Sequence, residues 1–154
     1  MRRTTMMLIA LLTATAASAQ LKVQGATQGA TPKGMTPKPV QQQSWETARR
    51  IPRDAAVMLV KSGKAVFVDI RSFETYSKGH IKGALSVPRS QLISRLREIP
   101  PGKFVITYCA CVREHTAALA VAELEAHGFK NAAALAGGWN EWTAAGLPTA
   151  TGTN

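Results

Sequence analysis

Short apolar runs that alternate with amphipathic stretches constrain the fold of this chain more than any other feature of its sequence. Ala65-Val66-Phe67-Val68-Asp69 and Phe104-Val105-Ile106-Thr107-Tyr108 have the length and apolar character of strands that are buried on both faces. Residues 84–87, which follow a predicted turn at residues 79–83, and residues 132–135 are shorter candidates of the same kind. Strands that alternate with helices predict a doubly wound α/β fold, with a mainly parallel sheet and helices on both of its faces.

The stretches between the apolar runs carry signals for the starts and ends of helices. The first helix begins at Pro52 and ends at Gly63, because proline favours the first turn of a helix and glycine the position after its end. The other helices are predicted at residues 73–78, behind the capping residue Ser90, at residues 115–127 and behind the Gly137-Gly138 pair.

The size of the chain and its cysteine count narrow the class of protein. A chain of 154 residues has room for one domain of ordinary size and not for a multidomain enzyme. Its two cysteines, Cys109 and Cys111, are too few and too close together for a disulfide scaffold or a four-ligand structural zinc site. We therefore expect the hydrophobic core to hold the fold together.

The first 19 residues have the order of a secretory signal peptide. Basic Arg2 and Arg3 precede an apolar run at residues 6–12, and Ala17-Ser18-Ala19 is typical of a cleavage site. The apolar run is shorter than the roughly 20 residues that a membrane-spanning helix needs. We expect cleavage after Ala19, export to a periplasm or the medium, and no stable membrane insertion after cleavage.

Charge is distributed unevenly along the predicted segments. Residues 20–43 are rich in Gln, Thr, Gly, Pro and Lys, which predicts a flexible linker, and residues 44–148 form the domain, followed by a tail at residues 149–154. Of the net charge of +10, two units lie in the signal peptide, three in the linker and five in the remainder. Basic residues are not interleaved with aromatic ones, so we expect no nucleic-acid partner.

Cys109 is the strongest candidate for a catalytic residue. It follows a predicted buried strand directly, and ligands of such folds lie at the carboxyl ends of the strands, where Asp69 and Arg71 also lie. Lowering the pKa of a thiol from about 8.5 by about two units requires about 2.7 kcal/mol. A helix N-terminus contributes up to about 2 kcal/mol, and each hydrogen bond to a charged group contributes about 1.5–3 kcal/mol. The strand-to-helix loop is therefore sufficient to activate the thiol.

Several short motifs together resemble the rhodanese (thiosulfate sulfurtransferase) family. They are Val68-Asp69-Ile70-Arg71, Gly79-His80-Ile81-Lys82-Gly83-Ala84, Val87-Pro88 and Leu135-Ala136-Gly137-Gly138. The resemblance implies a rhodanese-like fold in which Cys109 takes a sulfane sulfur as a persulfide. It also implies a small anionic donor such as thiosulfate and, as acceptor, a thiol, a cyanide-like nucleophile or a protein thiol. No cofactor is expected.

The loop departs from the family pattern at two positions. Active members usually have a glycine three residues after the cysteine and an arginine five after, where this chain has Val112 and Glu114. A carboxylate at about 6 Å from the thiolate costs on the order of 2.8 kcal/mol at an effective dielectric of 20. We hypothesise that an arginine neutralises Glu114, and the candidates are Arg71, Arg89 and Arg113.

Cys111 leaves a second function open. Two thiols at Cys-x-Cys spacing form a small disulfide, so Cys111 is a candidate resolving or redox residue, a ligand for a soft metal, or a simple loop residue. The alternative to a sulfurtransferase is therefore a non-turnover rhodanese-fold module that binds a partner or carries thiol redox state. Phosphate or arsenate chemistry ranks last, because His115 stands where that chemistry requires an arginine.

The remaining candidates support the site. The loop and anion site comprise Ala110, Val112, Arg113, Glu114 and His115, and the supporting residues are Asp69, Arg71 and Arg89. His80 is expected to hold its turn to the next strand, and His127 to bind the last carbonyls of its helix. None of the three histidines has the spacing of a metal site, and Trp139 and Trp142 are expected to pack.

Overall fold

The computed structural model describes residues 45–153, so the predictions of a signal peptide at residues 1–19 and of a linker at residues 20–43 fall outside the described part. The regular elements are β1 (Arg50–Ile51), α1 (Arg53–Lys61), β2 (Ala65–Asp69), α2 (Phe73–Lys78), β3 (His80–Ile81), β4 (Leu85–Ser86), β5 (Phe104–Tyr108), α3 (His115–Ala126), β6 (Ala132–Leu135), α4 (Gly138–Ala144) and β7 (Thr149–Ala150).

The main sheet has five strands in the order β1-β6-β5-β2-β4, and every neighbouring pair is parallel. Val68 of β2 lies opposite Thr107 of β5, which in turn lies opposite Ala134 of β6. The predicted doubly wound, mainly parallel fold is confirmed. The two longest predicted strands become the centre of the sheet, because only central strands are covered on both faces.

Each face of the sheet carries its own hydrophobic core. Alternate residues of β5 divide between the two cores: Val105 packs with α3, and Ile106 packs with Phe67 and Trp142 on the opposite face. Since side chains alternate across a strand, one continuous apolar run supplies both cores. Phe67 meets Trp142 edge to face, with ring centroids 5.2 Å apart. Packing is thus confirmed for Trp142.

The start of α3 is joined to β5 by a buried hydrogen bond. Thr107 Oγ1 donates to the carbonyl of Ala117 at 3.0 Å, and both residues are fully buried. Small residues of α3, including Ala118 and Ala120, pack against the small residues of β6. The helix therefore lies close to the sheet, and its N-terminus is held beside the carboxyl end of β5.

Three local predictions need correction. The helix expected behind Ser90 is a pair of 3₁₀ turns, Arg89–Gln91 and Ile93–Glu98, because Arg95 leaves helical φ/ψ values. The turn at residues 79–83 contains β3, which pairs antiparallel with β7. The segment predicted as a tail therefore contributes a strand, and a pair this short carries no period that the sequence could reveal.

Among residues 45–153, no helix is long and apolar enough to cross a membrane.

Candidate active site

The loop at residues 109–114 connects the end of β5 to the start of α3 and contains both cysteines of the chain. Cys109 is 4% exposed and is bonded to the partly buried Cys111 in a disulfide with Cα atoms 5.5 Å apart. Between and beside them, Ala110 and Val112 face solvent, and Val112 is 84% exposed. The structure therefore holds the loop in an oxidised state, with its inner sulfur in the core and its apolar side chain at the surface.

The amide environment of the two sulfurs differs. The Cys111 amide donates to Cys109 Sγ at 3.4 Å, and the Thr116 amide in the first turn of α3 donates to Cys111 Sγ at 3.3 Å. A helix N-terminus stabilises negative charge, so the first turn of α3 acts on the sulfur of Cys111. The sequence predicts that the helix N-terminus stabilises a thiolate on Cys109. In the structure, Cys109 Sγ accepts an amide from within the loop, and the amide in the first turn of α3 binds Cys111 Sγ.

Glu114 is bound from two sides. Its Oε1 accepts the Gly137 amide at 2.8 Å, and its Oε2 lies 3.4 Å from Nε of Arg50. Among the described residues, the cation at ion-pair distance from Glu114 is thus Arg50. An arginine does pair with Glu114, as hypothesised, but the predicted partners Arg71, Arg89 and Arg113 are wrong. The strand β1, which carries Arg50, pairs with β6 beside the loop, and a strand of two residues gave no signal in the sequence.

The backbone of the loop explains where its charged side chains point. Arg113 and Glu114 both have positive φ values, 56° and 52°, which residues other than glycine adopt rarely. The guanidinium of Arg113 lies over the ring of Trp45, 5.6 Å from its centroid. His115 meets the same ring edge to face, with centroids 4.8 Å apart. The loop and the first described residues of the chain are therefore in contact.

Asp69 and Arg71 form an ion pair that orders the neighbouring segment. Arg71 donates to Oδ2 of the fully buried Asp69 at 2.6 Å and to the carbonyl of Gly79 at 2.7 Å. Burial lowers the pKa of Arg71, but the hydrogen bond and charge of Asp69 outweigh it and raise that pKa above its usual value. The guanidinium also lies over the ring of Trp139, 4.5 Å from its centroid. This geometry ties the end of β2 to the residue that precedes β3.

The three arginines predicted to present charge to the loop do not converge on it. Arg71 is bound to Asp69, and Arg89 forms an ion pair with Glu123 in the middle of α3. Arg113 lies on the ring of Trp45 and is exposed. Arg71 and Arg89 are therefore each neutralised by a carboxylate, because a buried or half-buried guanidinium requires a partner.

The turn at the start of α4 holds the cysteine loop, and sequence reasoning had missed this role. The Trp139 amide donates to the carbonyl of Cys109 at 2.9 Å, and Nδ2 of Asn140 donates to the carbonyl of Ala110 at 3.2 Å. Gly138 has φ of 50°, and a Cβ atom there would lie 2.4 Å from the Cys109 carbonyl oxygen. The Gly-Gly pair was the available signal, since adjacent glycines indicate a close backbone approach.

The histidines serve structural roles. His80 is fully buried, stacks on Tyr76 with centroids 3.7 Å apart, and has its Nδ1 3.0 Å from the Tyr76 carbonyl oxygen. His127 Nδ1 lies 2.8 Å from the carbonyl oxygen of Glu123, as expected for the end of α3. In the part of the chain that the structure describes, no three His, Cys, Asp or Glu side chains form a group able to hold a metal.

Comparison with known proteins identifies the family to which this chain belongs. Residues 52–145 match the model of the rhodanese-like domain. The chain belongs to the rhodanese family. Thiosulfate sulfurtransferase GlpE of Pseudomonas fluorescens is 36% identical over 94 residues, which are 61% of this chain and 84% of GlpE. The rhodanese match therefore includes the central strands, the cysteine loop and the turn that supports it.

Other similar proteins are much longer than the segment that this chain matches. The HTH-type transcriptional regulator Rv0324 of Mycobacterium tuberculosis is 34% identical over 91 residues, which are 57% of this chain and 38% of the regulator. The chain thus spans well under half the length of that relative. A crystal structure of a thiosulfate sulfurtransferase from Pseudomonas aeruginosa superposes with a TM-score of 0.63 and 28% identity, covering 71% of this chain and 21% of that chain.

Proposed function

We propose that this rhodanese-family chain is a sulfurtransferase that moves a sulfane sulfur from an anionic donor such as thiosulfate to a nucleophilic acceptor through a Cys109 persulfide. The observation that carries the proposal is the position of Cys109, directly after the central strand β5 and before α3. Ligands of such folds lie at this edge of the sheet. The thiosulfate sulfurtransferase named for Pseudomonas fluorescens supports the same reaction class.

The chemistry requires a rigid loop around a reactive sulfur. The carbonyls of Cys109 and Ala110 are both bound by α4, which fixes the backbone on either side of the Cys109 side chain. An amide within the loop already donates to Cys109 Sγ, and the same donor would stabilise a thiolate there. The Glu114 carboxylate is compensated by Arg50, which removes the main electrostatic objection to a thiolate in this loop.

The sulfur transfer begins from the reduced loop. The Cys109 thiolate attacks the sulfane sulfur of thiosulfate, and the sulfur–sulfur bond of the donor breaks so that sulfite leaves with the electron pair. A thiol or cyanide then attacks the outer sulfur of the persulfide and regenerates the Cys109 thiolate. Because Cys109 is bonded to Cys111 in the structure, a thiol reductant must open the disulfide before the first transfer.

A second candidate function is supported by the disulfide itself. Two cysteines in one short loop that are already bonded fit a thiol redox module, which exchanges electrons with a protein thiol without sulfur turnover. The two functions make opposite demands. A sulfurtransferase requires a sulfur donor and releases sulfite, whereas a redox module oxidises or reduces the thiols of a partner protein and releases no sulfite.

The test compares the reduced full chain with its cysteine variants. The protein is reduced, freed of reductant by gel filtration and mixed with thiosulfate and cyanide, and thiocyanate is measured. We expect sustained turnover by reduced Cys111→Ser, a smaller thiocyanate yield from the reduced natural chain, whose Cys111 thiol also reaches the persulfide, and none from Cys109→Ser. Absence of thiocyanate from reduced Cys111→Ser, together with reduction of a protein disulfide such as that of insulin by the natural chain, would favour the redox module instead.

We also propose that the chain is exported to a periplasm or the medium. The basic, apolar and small-residue order of residues 1–19 supports the proposal. Expression of the full chain in a bacterium and N-terminal sequencing of the exported protein test it. We expect Gln20 at the N-terminus, and a mature protein that retains Met1 in the cytosolic fraction would contradict export.

A further inference from the structure

The two sulfurs of the loop are bonded to each other while hydrogen bonds hold the loop to its neighbours. The disulfide is present while residues of α4 bind the carbonyls of Cys109 and Ala110. The Gly137 amide binds Glu114 at the same time. In a Cys109 persulfide the outer sulfur is attached to Cys109 Sγ. Cys111 Sγ can therefore reach that atom without breaking these hydrogen bonds. An intramolecular nucleophile so placed competes with acceptors from solution at a high effective concentration.

Cys111 also has the surroundings of a nucleophile. It is partly exposed, whereas Cys109 is 4% exposed, and its Sγ accepts the Thr116 amide at 3.3 Å. The 12-residue helix α3 begins at this point, so its N-terminal amides favour a thiolate on Cys111. The thiolate is the form of cysteine that attacks a sulfur–sulfur bond.

We infer that Cys111 resolves the Cys109 persulfide, so that the reduced protein releases the transferred sulfur as hydrogen sulfide and ends as the Cys109–Cys111 disulfide. This inference rests on the proposed sulfurtransferase function and adds a second product to it. The disulfide in the structure is then the end state of one turnover, and an external thiol reductant is required to return the protein to its starting state.

The chemical step balances. The Cys111 thiolate attacks Cys109 Sγ, a bond forms between the two Sγ atoms, and the bond between Cys109 Sγ and the outer sulfur breaks. The electron pair of the broken bond leaves with the outer sulfur as hydrosulfide, which takes up the proton that the Cys111 thiol lost. The two cysteine thiols are oxidised to the disulfide, and the sulfane sulfur is reduced to sulfide. A dithiol from outside supplies the electrons for another round.

The experiment is a single turnover without an acceptor. The full chain is reduced, separated from reductant, and incubated anaerobically with thiosulfate under a stream of nitrogen that carries sulfide into a zinc acetate trap. Sulfite, sulfide and remaining protein thiols are measured for the natural chain, Cys111→Ser, Cys111→Ala and Cys109→Ser. Circular dichroism of each variant shows whether it keeps the fold, and the alanine variant serves if the serine variant does not fold.

We expect the natural chain to release equal amounts of sulfite and sulfide and to lose both thiols. The two Cys111 variants should release sulfite but at least about tenfold less sulfide, with the sulfur retained on the protein. Cys109→Ser should release neither product. Sulfite without sulfide from the natural chain, or undiminished sulfide from a folded Cys111 variant, would overturn the inference alone. Absence of sulfite from every form would instead overturn the proposed function.

Discussion

The Glu114 carboxylate accepts the amide N–H of Gly137 at 2.8 Å, and this bond joins the cysteine loop to the turn that begins α4. The second carboxylate oxygen lies 3.4 Å from Arg50 Nε. An acidic residue thus holds the loop through a backbone donor, and an arginine from β1 offsets its charge. Glu114, one of the two residues at which this loop departs from the usual family pattern, thus has a structural role that is compatible with a thiolate at Cys109.

The Arg50–Glu114 pair predicts how the reactivity of Cys109 responds to charge removal. In the background of Cys111→Ser, Glu114→Gln should speed the alkylation of Cys109 at pH 7 by up to about fivefold, because it leaves the positive charge of Arg50 uncompensated near the thiolate. Arg50→Gln should slow alkylation about fivefold, since an uncompensated carboxylate near the thiolate costs on the order of 1 kcal/mol after screening. Iodoacetamide consumption measures both rates.

The double variant separates charge from lost contacts. Arg50 also donates to the carbonyls of Ala48 and Trp45, so its removal has a structural component. If charge causes the slower reaction, adding Glu114→Gln to Arg50→Gln should restore most of the rate. A double variant as slow as Arg50→Gln alone would show that the contacts of Arg50, and not its charge, matter to Cys109.

Gly138 predicts a steric effect on the loop. Gly138→Ala should destabilise the protein by about 1–3 kcal/mol more than Gly83→Ala and should slow sulfur transfer, because its Cβ would meet the Cys109 carbonyl oxygen. Gly83 is the matched control: its φ is also positive, at 81°, but a Cβ there meets nothing within 4 Å. Urea unfolding gives the two free energies, and equal losses would contradict the close approach.

The Asp69–Arg71 pair predicts a large loss of stability when its charge is broken. Asp69→Asn should cost about 3–5 kcal/mol in the free energy of unfolding, because it leaves the Arg71 guanidinium, whose side chain is 9% exposed, without its counter-charge. The control is Glu98→Gln, which breaks the exposed Arg95–Glu98 pair and should cost less than about 1 kcal/mol. Similar costs for both variants would remove the ordering role that we assign to Asp69.

Tyr108 predicts the behaviour of the protein at alkaline pH. Burial, together with the charge of Asp69 and a hydrogen bond to it, raises the pKa of Tyr108 well above its usual value. The phenol ionises near pH 10 in the unfolded chain but stays protonated in the folded one, so its contribution to stability is complete below about pH 10 and falls as the pH rises further.

The matching variant is Tyr108→Phe. At neutral pH it should cost about 1 kcal/mol, because the Ile81 amide, which donates to the Tyr108 hydroxyl at 3.1 Å, loses its acceptor. Above about pH 10 the free energy of unfolding of the variant should fall less steeply than that of the natural chain. Urea unfolding at a series of pH values measures both slopes, and parallel curves would contradict the assignment.

Features that depend on neighbouring residues were predictable from the sequence. The apolar runs at β2 and β5 identified the central strands, and the position of Cys109 after β5 followed from them. The grouping of Asp69 with Arg71 at the end of β2 was likewise accessible, through the resemblance to the rhodanese family. These features depend on the spacing of apolar residues, on proline and glycine at the ends of elements, and on residues that are close together in sequence. All three are visible in a single chain.

Features that depend on distant or unusual backbone were not predictable. The partner of Glu114 is Arg50, 64 positions away and on a strand of two residues. The left-handed conformations of Arg113 and Glu114 decide where the loop charges point, yet neither residue type favours such φ values. The bond between Cys111 Sγ and the Thr116 amide depends on the same turn, so the sequence alone assigned the helix N-terminus to the wrong sulfur.

The central claim is that Cys109 accepts a sulfane sulfur, and the intact mass of Cys111→Ser tests it most directly. This variant lacks the thiol that we expect to discharge the persulfide, so the adduct should persist. After reduction, removal of the reductant and incubation with thiosulfate, we predict a gain of one sulfur atom that is absent when Cys109 is also replaced by serine. An unchanged mass of the folded, reduced Cys111→Ser variant would contradict the account.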